Sequence, residues 1–180
     1  LAETLPQEAL EEIKAEHPEF DAHKARNWAG NASFNPTTTE EMARAVEEVM
    51  TPATNQLNSL ITSKLKELGL QDQQLAIYGF SAGGLMALHT AIAREQTCAG
   101  VVCHSGQFLG AKEAKSKPNI LMMCGSEEWD DGDTRAVLEK SAADLTALGL
   151  NVEQAVCGEL GHGMNQNAKE TALDFMMRSL

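Results

Sequence analysis

The sequence predicts an α/β fold, in which a mostly parallel sheet carries helices on both faces. From residue 74 onwards, short apolar segments of strand length alternate with segments rich in helix-forming residues. The first such strand passes into the first such helix through the tight turn Gly79-Phe80-Ser81-Ala82-Gly83-Gly84. Strands that alternate with helices run in the same direction, and their crossover helices cover the sheet. The length of 180 residues favours a single domain over residues 1–180.

The first part of the chain predicts two helices separated by a loop. Apolar residues spaced among acids indicate a short amphipathic helix over residues 1–17, and Pro and Gly-Asn signals indicate a loop over residues 18–38. Trp28 lies in this loop, where a packing anchor is more common than a substrate contact. A helical pattern then runs to residue 68, with Pro52 expected to kink or split it and Gly69 expected to end it.

The alternating part begins at Gln74 and includes one conspicuously acidic segment. We expect the residues between the second and third strands, and those directly after the third strand, to form loops. The predicted elements are strand 75–79, helix 82–94, strand 99–103, loop 105–117, strand 119–124, acidic loop 125–133, helix 134–148, strand 151–156, a turn at 161–163 and helix 166–178.

Charge and cysteine content limit the partners and the compartment. The formal net charge of −12 disfavours nucleic acid or an anionic membrane as the main partner. The sequence contains no apolar run long enough to span a membrane, and it does not open with a secretory signal pattern. The four cysteines form no C-x-x-C pair, so we expect buried thiols and a cytoplasmic location. The sequence is compatible with a homodimer but does not decide the oligomeric state.

Ser81 is the candidate nucleophile. The G-x-S-x-G pattern on a strand-to-helix turn places a serine in a strained conformation with its hydroxyl clear of the sheet. We expect positions 79 and 83 to require a very small residue, because longer side chains there would collide with the turn. The N–H of Ala82, at the start of the helix, is a candidate donor to a developing oxyanion.

A serine nucleophile requires a base, and five histidines compete for that role. Nothing supports His17 or His23, and His89 lies two turns into a helix, pointing away from the turn. His104 follows a strand and is the second choice. His162 follows the last strand between two glycines, and it fits the chain order nucleophile, acid, histidine that accompanies this turn. We therefore predict His162 as the base.

Several motifs together resemble the phospholipase/carboxylesterase family of α/β-hydrolases, relatives of acyl-protein thioesterases. The resemblance covers the chain from about Phe20 onwards. The matching segments are Arg26-Asn27-Trp28, residues 75–84, His104-Ser105-Gly106, residues 118–125 and Gly158-Glu159-Leu160-Gly161-His162-Gly163. The resemblance implies an α/β-hydrolase fold with Ser81 as nucleophile and His162 as base.

The acid that completes a Ser-His-acid triad can be assigned to more than one carboxylate. The acidic loop holds five carboxylates within seven residues. The family's Asp, three residues after the glycine that closes the penultimate strand, corresponds to Glu128, whereas counting back from the next helix leads to Asp130. The family's Asp-x-x-Val-Pro is absent. We predict Glu128, with Asp130 and Asp131 as alternatives.

A second departure concerns the oxyanion hole. The family's first strands end in a His-Gly motif whose loop supplies one oxyanion N–H, and this sequence has no such segment. Either these strands lie upstream in a longer chain, which we expect, or the chain is a weakened relative. Without a central neighbour, strand 75–79 would have an unpaired edge.

The resemblance also implies the substrate class, carboxylic esters or thioesters with a linear acyl chain. Phe108, Leu109, Trp129 and Met164 are candidates for an acyl slot, with local core as the equal alternative. Nothing requires a metal or an organic cofactor. We predict a serine carboxylesterase; the alternatives are an acyl-thioesterase or lysophospholipase on the same triad, and a non-catalytic protein that binds an acyl ligand or partner.

Overall fold

A computed structural model of the protein describes residues 48, 50–111 and 113–180. Four parallel strands form one sheet in the order β1-β2-β3-β4 within this part of the chain. The elements are α1 (Thr51–Leu68), β1 (Ala76–Phe80), α2 (Ala82–Ile92), β2 (Gly100–His104), β3 (Asn119–Gly125), α3 (Ser126–Asp130), α4 (Gly132–Ala147), β4 (Val152–Cys157) and α5 (Gln166–Ser179), with a 3-10 turn at Asp72–Gln74. The predicted helix 1–17, loop 18–38 and Trp28 lie outside the described residues, so the single domain over 1–180 stays a prediction.

Helices cover both faces of the sheet, as predicted, because the buried strands β2 and β3 are apolar on both sides. On one face, alternate strand residues such as Val101 and Ile120 pack in a cluster with residues of α2 and α4. On the other face, Val102 and Leu121 pack with residues of α5, including Phe175. This continuous apolar character, without polar alternation, is typical of parallel strands.

The strands end one residue further along the chain than the sequence predicts, and all but β3, which begins at Asn119 as predicted, also begin one residue later. Phe80 and His104, for example, are the last residues of β1 and β2, and they are partners in the parallel register. The carboxyl ends of neighbouring parallel strands therefore meet at one edge, where Ser81 and Ser105 follow. Among the described residues, β1 pairs with β2 alone and is an edge strand.

Pro52 lies at the start of α1, and most of the predicted helix before it lies outside the described residues, so the expected kink or split stays a prediction. It lies in the first turn of the helix, where its missing N–H group would have no intrahelical partner in any case. Gly69 ends the helix in the left-handed conformation with φ of 68°, and its N–H is directed to the carbonyls of Leu65 and Lys66. The predicted end of this helix is thereby confirmed.

Residues 125–133 do not form the predicted loop. The short helix α3 begins at Ser126, directly after β3, and α4 follows from Gly132. The Glu128 side chain accepts a hydrogen bond from the N–H of Gly125 at 3.1 Å and so caps the start of α3. Acidic residues in a first helical turn are favoured by the helix dipole, which explains why an acidic segment folds as helix here.

All four cysteines are buried and free, which confirms the expectation of buried thiols. Burial raises the pKa of the Cys103 thiol to about 12, which keeps it protonated and unreactive. Within the described part of the chain, no helix is both long and apolar enough to cross a membrane.

His89 makes the fold sensitive to acid. The side chain lies in α2 against the Phe108 ring, with ring centroids 5.1 Å apart, and burial lowers its pKa from 6.5 to about 4. Between these two pH values the unfolded chain binds a proton that the folded protein excludes, so stability is lost as the pH falls. We expect this residue to lower the free energy of unfolding by about 3 kcal/mol between pH 6.5 and 4.

Urea unfolding of wild type and His89→Gln at several pH values measures this effect. The glutamine cannot titrate, so the variant should lose less stability than the wild type over this interval. Equal pH dependence in the two proteins would contradict the role of His89.

Candidate active site

Ser81 lies at the sharp turn between β1 and α2 and has a strained backbone. Its φ of 55° and ψ of −122° lie in a region that residues with side chains rarely adopt. The turn is held by the Ser81 N–H, which donates to the His104 carbonyl at 2.8 Å, and by the Ser81 carbonyl, which accepts from the Gly84 N–H at 2.9 Å. Such strain persists only where surrounding contacts enforce it.

The glycines that this turn requires differ in part from the predicted pair. A Cβ on Gly79 would lie 2.0 Å from the Gly83 carbonyl oxygen, so the prediction of a collision at position 79 is confirmed. The prediction of a collision at position 83 is wrong, since a Cβ on Gly83 would meet no atom of the described residues within 4 Å. Gly84 is the constrained residue instead, because its Cβ would lie 2.9 Å from the Cys103 sulfur.

Three side chains from separate segments form a continuous row of hydrogen bonds. The Ser81 Oγ lies 2.9 Å from His162 Nε2, and His162 Nδ1 lies 2.8 Å from Glu128 Oε1. An ionised carboxylate can only accept, so Nδ1 carries the proton and donates to Glu128. Nε2 of neutral His162 is then an acceptor for the Ser81 hydroxyl, which is the arrangement that general-base activation requires.

Glu128 occupies a protected position at the end of this row. Its side chain is 11% exposed, against 53% for His162. The second carboxylate oxygen, Oε2, accepts hydrogen bonds from Ser105 Oγ at 2.5 Å and from the Gly125 N–H at 3.1 Å. Burial acts to raise the pKa of Glu128, but the hydrogen bonds from Ser105, His162 and Gly125 outweigh it and hold the pKa below its ordinary value. Glu128 is therefore ionised at neutral pH.

The two alternative acids lie elsewhere. Asp131 accepts a hydrogen bond from the Thr134 hydroxyl at the start of α4, and Asp130 is exposed at the end of α3. The carboxylate that contacts His162 is Glu128. Because α3 starts directly after β3, the third residue after Gly125 comes round to face the histidine, whereas the following aspartates point along the surface.

His104, the second choice for the base, is fully buried beneath the site. Its Nδ1 lies 2.8 Å from the Tyr78 hydroxyl, and burial lowers its pKa. The Phe80 ring lies between the two histidines, with its centroid 5.0 Å from that of His104 and 5.0 Å from that of His162. His104 thus packs beneath the hydrogen-bonded residues Ser81, His162 and Glu128. Among the described residues, no hydrogen bond joins its ring to Ser81 Oγ.

The four predicted substrate contacts fall into two groups. Phe108 and Leu109 are buried in core clusters, and Trp129 is partly buried against the same core as Phe108. Their burial favours the local-core alternative over an acyl slot, and a role in substrate binding stays a prediction. Met164 differs, because it is 44% exposed and lies two residues after His162.

Ala82 is exposed at the first position of α2, next to the Ser81 hydroxyl in the chain. The first N–H groups of a helix have no intrahelical acceptor and carry a positive partial charge. Within the described residues, no group of three or more His, Cys, Asp or Glu side chains is placed to hold a metal ion.

Two contacts of the site did not emerge from the sequence. Ser105 donates to Glu128, and Phe80 packs against His162. Phe80 lies inside the G-x-S-x-G turn and Ser105 inside the His-Ser-Gly motif, so both residues belong to motifs that the sequence analysis identified. The contacts of each residue depend on which side chains the other loops bring near, and the sequence does not show this.

The chain is similar to a known family and to several solved structures. The family model described as Phospholipase/Carboxylesterase matches residues 20–176. A crystal structure of esterase PE8 has a TM-score of 0.64 and 24% sequence identity, with 73% of this chain and 62% of that chain covered. The structure of Arabidopsis thaliana SOBER1 has a TM-score of 0.64 and 19% identity, with 74% and 65% covered. The Bacillus cereus carboxylesterase has a TM-score of 0.61 and 19% identity, with 74% and 63% covered.

At these identities the solved structures establish the fold alone, and the chain spans less than two thirds of the length of each of these three. No curated protein matches the chain. The family model, by contrast, covers most of the sequence and includes the segments that carry Ser81, Glu128 and His162. The chain has the α/β-hydrolase fold and belongs to the phospholipase/carboxylesterase family.

Proposed function

We propose that the protein is a serine hydrolase that cleaves carboxylic esters, with Ser81 as nucleophile, His162 as general base and Glu128 as the acid that orients the histidine. The observation that carries the proposal is the row of hydrogen bonds from Ser81 Oγ through His162 to Glu128. Membership of the phospholipase/carboxylesterase family supports the same reaction class. The four buried, free thiols support a reducing compartment such as the cytoplasm.

The reaction begins with removal of the Ser81 proton. His162 Nε2 accepts this proton as Oγ attacks the ester carbonyl carbon, and the carbonyl π electrons move to the oxygen to give a tetrahedral oxyanion. The N–H of Ala82 and the positive end of α2 stabilise that charge. Glu128 stabilises the imidazolium that forms and keeps its own charge.

Collapse of this intermediate breaks the bond to the alkoxy group. The electron pair of that bond leaves with the alkoxy oxygen, which takes the proton from His162 and departs as the alcohol. Water then gives a proton to His162 Nε2 and attacks the acyl-Ser81 carbonyl, and the second intermediate collapses to the carboxylic acid and free Ser81. The histidine is neutral again at the end of the cycle.

The hydrogen-bonded residues Ser81, His162 and Glu128 are partly open to solvent at His162, which fits a small-molecule substrate that arrives from solution. His162 is half exposed, and Met164 offers an apolar contact beside it. We include Met164 as a contact for the acyl chain. Phe108, Leu109 and Trp129 have no such role in the proposal, because their apolar surface is engaged in the core.

A comparison of three substrates tests the proposal. We expect the purified protein to hydrolyse p-nitrophenyl butyrate, and we compare its kcat/KM with those for the corresponding butyryl thioester and for lysophosphatidylcholine. A decisive preference for the thioester or the lysolipid would replace the carboxylesterase assignment with the thioesterase or lysophospholipase alternative. A folded protein that hydrolyses none of the three would instead favour an acyl-binding protein without catalytic activity.

A further inference from the structure

The segment His104-Ser105-Gly106, which begins at the last residue of β2, lies between the nucleophile and the acid and contacts both. The His104 carbonyl accepts the N–H of Ser81 at 2.8 Å. Gly106 lies so close to the turn that an added Cβ would be 2.8 Å from the Ser81 carbonyl oxygen and 3.0 Å from the Leu85 nitrogen. Between these two residues, Ser105 Oγ donates to Glu128 Oε2 at 2.5 Å. One short segment thus touches the strained turn on one side and the carboxylate on the other.

The backbone of Ser105 is held in a conformation that serine rarely adopts. Its φ is 51°, in the left-handed region, and its N–H donates to the Met123 carbonyl at 2.7 Å. Glycine would adopt this φ without strain, yet the position carries a hydroxyl that contacts Glu128. Strained residues of this kind concentrate at functional sites.

The two oxygens of Glu128 have separate partners. Oε2 accepts from Ser105 Oγ and the Gly125 N–H, and Oε1 accepts from His162 Nδ1. Two donors on Oε2 fix the rotation of the carboxylate about its last side-chain bond. This leaves Oε1 in the position where it receives the His162 proton donor.

We propose that Ser105 is a positioning residue, which holds the Glu128 carboxylate in the orientation that His162 requires. The inference rests on the proposed function, since it assigns Ser105 an effect on turnover through Glu128. Ser105 itself touches neither the substrate carbonyl nor Ser81 Oγ in this account. Its hydroxyl acts on the reaction by restricting the acid.

Two substitutions separate the hydroxyl from the backbone. Ser105→Ala removes the hydroxyl and keeps the strained φ, whereas Ser105→Gly removes the hydroxyl and relieves the strain. Loss of a hydrogen bond to a charged group should lower kcat for p-nitrophenyl butyrate by about 10-fold in both variants, with KM unchanged. The Gly125 N–H remains in place, so the loss should be partial.

A double-mutant cycle with Glu128→Gln tests whether Ser105 acts through Glu128. If it does, adding Ser105→Ala to Glu128→Gln should lower kcat by less than about 2-fold further, because the group that Ser105 orients is already disabled. Thermal unfolding of each variant checks that the fold is kept. This coupling is the result that a purely structural role would not produce.

Other outcomes overturn the inference in distinguishable ways. If Glu128→Gln lowers kcat severely while both Ser105 variants turn over like wild type, Ser105 has no positioning role and the proposed function stands. If Ser105→Ala lowers kcat equally in the wild-type and Glu128→Gln backgrounds, its effect does not pass through Glu128. If Glu128→Gln itself has wild-type kcat, the proposed acid is wrong and the inference fails with it.

Discussion

Replacing Ser81 by alanine is expected to lower ester turnover by about 10⁶-fold, the effect of removing the nucleophile from a triad that works as a unit. In the proposed mechanism, the Oγ atom that lies 2.9 Å from His162 Nε2 forms the acyl-enzyme bond. Without it, His162 has no nucleophile to activate, and only binding and the donors near Ala82 remain. Steady-state hydrolysis of p-nitrophenyl butyrate, with the uncatalysed rate subtracted, measures the loss.

The variant Ser81→Gly provides a matched control for this prediction. It lacks the same hydroxyl but accommodates the φ of 55° without strain, so it should be as inactive as Ser81→Ala. We expect it to be more stable than Ser81→Ala by about 1 kcal/mol, because the strain at this position is relieved. Substantial turnover by either variant would show that another residue is the nucleophile.

Replacing Glu128 by glutamine is expected to lower kcat by about 10⁴-fold, as in a triad whose histidine is held in the wrong tautomer. The reason lies in the partners of Oε2. The Gly125 N–H can only donate, so the glutamine must turn its carbonyl oxygen towards Gly125 and its NH₂ group towards His162. His162 Nδ1 then has to accept, which moves the imidazole proton to Nε2. A protonated Nε2 cannot take the proton of Ser81.

The same substitution at the neighbouring acids provides the comparison. Asp130→Asn and Asp131→Asn each remove one negative charge within three residues of Glu128. Both leave the hydrogen bond between His162 and Glu128 intact. We expect kcat for both to stay within about 2-fold of wild type. A severe loss in either aspartate variant, with Glu128→Gln active, would transfer the role of the acid to that aspartate.

Much of the architecture could be predicted because its signals are local. Apolar runs such as Ile120–Cys124 identify buried parallel strands, and the glycines around Ser81 identify the turn. The strands end one residue later than the sequence predicts, since polar or small residues such as His104 and Gly125 do not look like strand ends. Helix α3 was mistaken for a loop because its acids also suit a solvated loop.

The sequence alone predicts a site residue only where a single motif points to a single position. Ser81 and His162 are predicted in this way, and the structure brings Ser81 Oγ and His162 Nε2 to 2.9 Å. The acid was ambiguous because five carboxylates occur within seven residues, and spacing counted from either end gave different answers. The distinction depends on α3 starting at Ser126, which rotates Glu128 towards the histidine. Similarly, the burial of Phe108 depends on α2 and α4, which pack around it.

Labelling with a fluorophosphonate probe tests the central claim most directly, because the probe reacts covalently with a serine only when a base has activated it. We expect the purified full chain to take up one label per molecule, located on Ser81 by peptide mass spectrometry. Labelling should be lost in both Ser81→Ala and His162→Ala. A folded wild-type protein that stays unlabelled, or a label that persists in Ser81→Ala, would contradict the account.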